Sequence, residues 1–484
     1  MIASRTLLVR ILIGLGFLGY VLARNMGAWA GGSDTSGYMN DARLLAAHAL
    51  HQQQRTIDNL PPSSLPRMAY VPLGFLPTGK DEMYPTYPLG LPLEFLTFSK
   101  VFGWANGSHN AIWTDAMVCV VVVFLLLLEL GVGREMSLLG AVVFGASSLF
   151  LFLSLQAMSD MPATLCAAFA ALCALWSRRH PAWAILCGLS FAYGVVVRPT
   201  NALMAVPLAL MLPMRPATIA AFVGGVIPWA LWDAHVSHEV YGAAVTTGYG
   251  DVSSLFGLRY LAPTLRNYGS TLWTVLTPLV LLAAAFPFVR TGLGWRLKAA
   301  LIAWILLFFG FYSVYFCTHD TWWYLRFVLP AFPPLIAAVL FVIRRFCPWR
   351  PLLQAALWTA LVALVLKWDV RQTRDLYATS IGRGERVYFQ ASKFIRRTLS
   401  ERDAIFCMQG SGAFFYYTKN PLLRWDAVGA KDFQRVELQC RATGRKVYMV
   451  LFPFEEEEAF RKYPGARWDK VAMVRDMGIW KLQM

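Results

Sequence analysis

The sequence predicts an α-helical polytopic membrane protein that closes in a small C-terminal α/β soluble domain. Three observations predict it. The 484 residues are 57% hydrophobic and only 15% charged, where ordinary soluble chains are roughly 25% charged. The apolar residues are grouped into runs, such as 118–130 with Glu129 as its one charge, and these runs approach the length that crosses a bilayer. After residue 369 the pattern changes, and helical and strand periodicities alternate. Soluble cores cannot hide this much apolar surface, and the composition is equally unlike a disordered, collagenous or disulfide-knotted chain.

About twenty apolar residues cross a bilayer, fewer when flanking groups snorkel. Eleven runs fit: roughly 7–23, 112–130, 136–154, 161–177, 182–197, 200–213, 217–233, 271–289, 299–316, 327–343 and 351–367. The excess charge, 44 Lys+Arg against 28 Asp+Glu, gives a net +16. A nucleic-acid binder would gather that excess on one soluble face; here much of it lies in short turns between apolar runs. One set of alternate turns holds twelve basic residues: Arg5, Arg10, Arg134, Arg178, Arg179, Arg215, Arg290, Arg296, Lys298, Arg344, Arg345 and Arg350. The opposite set holds Arg198, Arg326, Arg259 and Arg266. The positive-inside rule then makes the N-terminus cytoplasmic, and an odd span count puts 370–484 outside. The first run also reads as a signal peptide, with Ala28-Trp29-Ala30 as a cleavage site; on either reading the segment after residue 30 is external.

The external loop 24–111 is unlike the other loops. Residues 41–54 have helical periodicity, a Pro-rich irregular stretch runs from Pro61 to Pro77, and 93–102 suits an interfacial or re-entrant helix. Residues 1–369, this loop with its amphipathic helices included, form one expected domain. Residues 370–484 form the second, external one. Helices are expected at 387–399, 411–418, 432–442 and 455–463, with strands at 404–408, 446–452 and within 471–482. Its 21 basic and 13 acidic residues suit contact with anionic headgroups or glycolipid, or a merely solvated surface. Of the eight cysteines, Cys119, Cys166, Cys173 and Cys187 lie in apolar runs without ligand spacing. Cys407 and Cys440 fall in soluble sequence, where an oxidising compartment would let a disulfide persist.

Ionisable residues at span ends are costly and mark candidate sites. Asp34 sits in Gly31-Gly-Ser-Asp-Thr-Ser-Gly-Tyr38, Asp160 in Met158-Ser-Asp-Met-Pro162, Arg198 in Val197-Arg-Pro-Thr200, and Arg326 ends Asp320-Thr-Trp-Trp-Tyr-Leu-Arg326. All four fall on the external side of the expected topology. Each also has a plainer role. Asp34 suits an Asx-turn, Asp160 a helix cap ahead of Pro162, the arginines headgroup contact, and Trp322 and Trp323 an interfacial belt.

Taken in order, these segments resemble the GT-C superfamily of integral-membrane glycosyltransferases. The motifs are Asp34 with Tyr38 and Ala42-Arg-Leu-Leu45, Tyr87-Pro-Leu-Gly-Leu-Pro, Ser159-Asp-Met-Pro, Arg198-Pro-Thr and Tyr324-Leu-Arg-Phe-Val-Leu-Pro330. The similar branch (glycosyltransferase families 39 and 83) holds the protein O-mannosyltransferases and the bacterial aminoarabinose transferase of lipid A. The resemblance covers about residues 1–345. It implies a catalytic acid in the first external loop, Asp34, with Asp160 as a second acidic position. It also implies a sugar donor carried on polyprenyl phosphate, an acceptor hydroxyl on a glycolipid, glycan or protein, and a bacterial inner-membrane enzyme acting on the periplasmic face with inversion. Tyr38, Tyr87, Trp322, Trp323 and Tyr324 are then expected to line the substrate pocket. Many members carry two adjacent acids in the first loop, whereas Thr35 follows Asp34 here; no cofactor is called for, and a divalent metal is left open.

The chemistry fits these residue types on its own terms. A carboxylate can take the acceptor hydroxyl proton and favours an oxocarbenium-like transition state. The departing phosphate needs cations. Arg326 and Arg198 suit it with bidentate forks, with Lys80 and His319 as further candidates. The competing class is a polytopic transporter or lipid flippase. That class uses ionisable residues near mid-membrane and inverted repeats, and the centres of these runs carry almost no charge.

Overall fold

The computed structural model of the chain describes residues 5–79, 81–244, 246–346 and 351–484, with side chains from 356 onward in the last stretch. The chain divides into two compact units. The first comprises Met1–Met26, Ala111–Ala234 and Asp251–Ile381; the second comprises Gly27–Asn110, His235–Gly250 and Gly382–Met484.

The first unit is helical, and each of the eleven apolar runs coincides with helix. Among the described residues five helices are long and apolar enough to cross a membrane: Arg5–Asn25, Gly107–Glu129, Pro216–Tyr241, Trp295–Ser313 and Trp322–Arg345. Counting each of two bent pairs as one span raises this to seven. The run 136–154 is two helices, Arg134–Ala146 and Ser148–Ser154, bent by 58° at Ser147, whose hydroxyl accepts from the Phe150 amide. The run 271–289, expected as one span, is broken more sharply. Leu258–Leu276 and Pro278–Phe288 meet at 110°, because Thr277 takes a left-handed φ of 79° and Pro278 cannot continue the helical hydrogen-bond ladder. Asp160–Trp176, Trp183–Val197 and Pro199–Met211 are shorter apolar helices. Exposed Ile13, Phe17, Val223 and Leu231 sit on two of the long helices, the outward apolar surface that a bilayer covers and water does not. This is an integral membrane protein.

The second unit is α/β. Its sheet has the order Leu422–Arg424, Ala404–Cys407, Val447–Leu451, Met477–Leu482, Trp468–Val474. The first three strands are parallel and the last two form an antiparallel hairpin. Side chains alternate across the strand Ala404–Cys407. Ile405 and Cys407 join one core with Val387, Ile395, Val450 and Ile479, while Ala404 and Phe406 join the other with Phe433, Cys440 and Tyr463. Cys407 and Cys440 therefore lie on opposite faces as buried free thiols, and no disulfide joins them.

Much of the long loop folds into this unit. Leu44, Val71, Phe75 and Met83 complete one core and Ile57, Leu60, Leu65 and Tyr70 the other. The loop's first helix is Ser33–Ala46, earlier than the 41–54 read from periodicity. His48, with a φ of 53°, ends it, and Gln52–Gln53 is a short strand paired with Glu82–Pro85. A second helix, Gly90–Phe102, covers the stretch read as interfacial.

Candidate active site

Asp34 is the second residue of the Ser33–Ala46 helix rather than part of an isolated turn. A carboxylate there is favoured by the free amides and positive end of the helix dipole. It is partly exposed, and Tyr87 donates its phenol hydrogen to Asp34 Oδ1 at 2.9 Å. Burial first, then the Asp34 charge, pushes the Tyr87 phenol well above its ordinary range, so Tyr87 remains a donor. The Tyr87 ring lies 4.8 Å from that of Tyr38, one helical turn beyond Asp34. Gly37 is what admits it: a Cβ on Gly37 would stand 2.3 Å from the Tyr87 ring. Asp34, Tyr38 and Tyr87, chosen separately from the sequence, thus form one cluster.

A residue not singled out in the sequence joins them. Glu385 Oε2 accepts the Gly32 amide hydrogen at 2.8 Å, at the N-terminus of the same helix. Gly31 makes room for it, since a Cβ there would fall 1.2 Å from Glu385 Oε2. Burial pushes the Glu385 carboxyl up to about 7; the Gly32 amide opposes this and the Asp34 charge adds to it. Tyr388 and Gln409 complete the surroundings, with Gln409 Nε2 3.5 Å from the Tyr388 hydroxyl. Two turns along the helix, Asp41 is wholly buried and neither carboxyl oxygen has a hydrogen-bond partner among the described residues. Burial holds its carboxyl well above the usual range. Glu385 lies 351 positions from Asp34 in the chain, and no local motif links the two.

The remaining candidates belong to the first unit. Asp160 opens the helix Asp160–Trp176, but its side chain does not cap it; the N-cap is Ser159 and no side-chain cap bond forms. Instead Asp160 pairs with Arg198, the pair being 2% and 12% exposed. Arg198 Cζ lies 5.2 Å from the Phe327 ring and Arg326 Cζ 5.0 Å from the same ring. Tyr312 stacks on Phe327 at 4.9 Å and Tyr324 at 5.8 Å, and Arg326 Nη1 stands 3.8 Å from Met158 Sδ. Asp160, Arg198, Arg326 and Tyr324 therefore share one neighbourhood organised by Phe327. Trp322 and Trp323 pack on Phe152, at 5.0 and 6.4 Å, with Trp323 40% exposed. His319 stacks on Tyr260 at 5.8 Å and lies 3.4 Å from Asp320. Lys80 lies outside the described residues. Among the described residues no group of three or more His, Cys, Asp or Glu could hold a metal ion; Asp34 and Glu385 supply two carboxylates.

No protein-family model matches the sequence, and no curated protein matches it. Solved structures do match in fold. ArnT from Cupriavidus metallidurans bound to undecaprenyl phosphate aligns with a TM-score of 0.61 and 13% identity over 99% of this chain and 98% of ArnT. The apo state of ArnT gives 0.59 and 12%. The arabinofuranosyltransferase AftD from Mycobacteria gives 0.56 and 14%, over 100% of this chain and 40% of AftD. The chain has the fold of ArnT and of the matching part of AftD, the fold that the resemblance implied.

Proposed function

We propose that this protein is a membrane glycosyltransferase that moves a sugar from a polyprenyl-phosphate donor to an acceptor hydroxyl on the external, periplasmic face of a bacterial inner membrane. The observation that carries the reading is Asp34, hydrogen-bonded by Tyr87 and neighboured by Glu385, in a chain whose fold is that of ArnT bound to undecaprenyl phosphate. Asp34 takes the proton of the acceptor hydroxyl as its oxygen attacks the anomeric carbon. The sugar–phosphate bond breaks on the opposite side, so the configuration inverts. Tyr87 holds the Asp34 carboxylate in one orientation. Arg326 and Arg198 bind the phosphate, with Asp160 fixing the Arg198 guanidinium.

Asp34→Asn tests this. Asparagine keeps the size and the bond from Tyr87 but loses basicity, so purified protein should remain monodisperse in detergent and still bind undecaprenyl phosphate. Turnover with a polyprenyl-phosphate-linked sugar should fall by roughly 10²–10⁴-fold. A folded variant with near-wild-type turnover removes Asp34 from the mechanism.

A further inference from the structure

The helix Arg386–Thr398 is amphipathic. Its apolar side, Val387, Ala391 and Ile395, is buried in the core of the second unit. Arg386, Gln390, Lys393 and Arg397 follow one another at helical spacing along a different side. Here they meet the edge strand Trp468–Val474 and the turn after it. Arg386, Phe389, Lys393, Arg397, Met473 and Arg475 are among the residues lining a groove of about 470 Å³. A second hollow of about 290 Å³ shares Phe389, Lys393 and Arg397 and adds Arg396 and Tyr417. No carboxylate lines either one.

Three features separate this groove from an ordinary solvated basic surface. First, elsewhere in the unit arginines have carboxylate partners, as in Arg402–Asp58, Arg445–Asp58, Arg424–Asp426, Arg441–Glu437 and Arg461–Glu457. Among the described residues Arg386, Lys393, Arg396 and Arg397 form no such pair, so the groove concentrates positive charge that repels itself until an anion enters. Second, the groove is built rather than loose. Arg475 occupies the two-residue turn between paired Val474 and Met477, with a left-handed φ of 52°, and its guanidinium donates to the Arg383 carbonyl at 3.0 Å. Trp29 stacks on Phe389 at 4.6 Å and lies 5.8 Å from the Arg386 guanidinium. Third, the cations alternate with apolar surface: Phe389 and Phe394 are partly exposed and Met473 is 50% exposed. A free anion has no use for that surface, whereas an amphiphile covers it.

We propose that this groove is a binding site for an anionic lipid of the bilayer, the phosphate held by Arg386, Lys393, Arg397 and Arg475 and the adjoining chain lying on Phe389, Phe394 and Met473. Along the sequence, the groove's helix begins eleven residues after Asp375, the end of the last apolar helix. A cluster of basic side chains close to a lipid surface attracts anionic headgroups within about a Debye length. The site is independent of the sugar-transfer reading and survives its failure.

The test uses the full chain purified in a neutral maltoside detergent. Binding of dihexanoyl phosphatidate, dihexanoyl phosphatidylcholine and inorganic phosphate is measured by thermophoresis at two salt concentrations. Phosphatidate should bind saturably and weaken with salt. Lys393→Glu/Arg397→Glu should reduce its affinity at least about tenfold, on the basis of about 1 kcal/mol per basic residue near an anionic headgroup. Met473→Asp should weaken phosphatidate and leave inorganic phosphate unchanged. Lys393→Gln/Arg397→Gln serves as the milder pair should charge reversal impair folding. Wild-type affinity in either lysine–arginine pair, or phosphatidylcholine binding as well as phosphatidate, overturns the proposal. Inorganic phosphate binding as tightly as phosphatidate overturns its amphiphile half.

Discussion

Replacing Glu385 by Gln tests the carboxyl that the fold sets beside Asp34. Glutamine keeps the shape and can still accept the Gly32 amide hydrogen, so only the ionisation is removed. Glu385 is pushed from an ordinary 4.5 up to about 7. Between those two values the folded protein retains a proton that the unfolded chain has released. Stability linked to this group is therefore full below the unfolded value and is lost as pH rises toward 7. At about 1.36 kcal/mol per unit the rise corresponds to about 3 kcal/mol, and since Glu385 is partly exposed, screening reduces this to an order of 1 kcal/mol. Thermal unfolding in detergent at pH 5 and pH 8 reads it directly. Glu385→Gln should match the wild type near pH 5 and melt higher at pH 8. A variant whose melting temperature stays offset by a constant amount at both pH values would refute the reasoning. An inactive Asp34→Asn with such an unresponsive Glu385→Gln would retain Asp34 and discard its neighbour.

Three further outcomes follow from the first unit. Asp160→Asn leaves the nearly buried Arg198 without its carboxylate and should cost about 3–5 kcal/mol of stability; a pure helix cap would tolerate it. Asp160→Asn/Arg198→Gln should recover part of the loss, read as the melting temperature against both single variants. Arg326→Ala should weaken undecaprenyl phosphate binding by about 10- to 100-fold, from about 1.5–3 kcal/mol for a charge-assisted bond, and unchanged affinity would remove it from the phosphate site. For topology, a cysteine at His180→Cys should be shielded from impermeant thiol reagents in intact cells and one at Asp251→Cys should label; equal labelling would sink the orientation expected from the basic turns.

The fold and the candidate site were legible to different depths, and the difference has a physical cause. Apolar runs mark helices wherever backbone groups must be satisfied away from water, so all eleven runs coincide with helix. A run of hydrophobic residues does not reveal a bend, however. The 110° break after Leu276 depends on one left-handed threonine ahead of a proline. The helix Ser33–Ala46 escaped periodicity for a related reason: its face is small and polar around Asp34, Gly37 and Asn40, and its burial comes from packing by distant segments. Asn40 donates to the Gly412 carbonyl at 2.9 Å and Arg43 to that of Tyr416 at 2.7 Å. Those bonds tie the long loop to the C-terminal segment, which is also how Glu385 reaches Gly32. Asp34 could be chosen from residue type and its place after the first apolar run, and Tyr87 from the order of motifs that carries the resemblance. Glu385 could not be, because its significance lies in the absent side chain of Gly31 and in burial that only the folded chain supplies. Thr35, not a second acid, follows Asp34 in the chain. The fold supplies a second carboxyl from 351 positions away, so the spacing of acids in the sequence understates the number of carboxyls at the head of this helix.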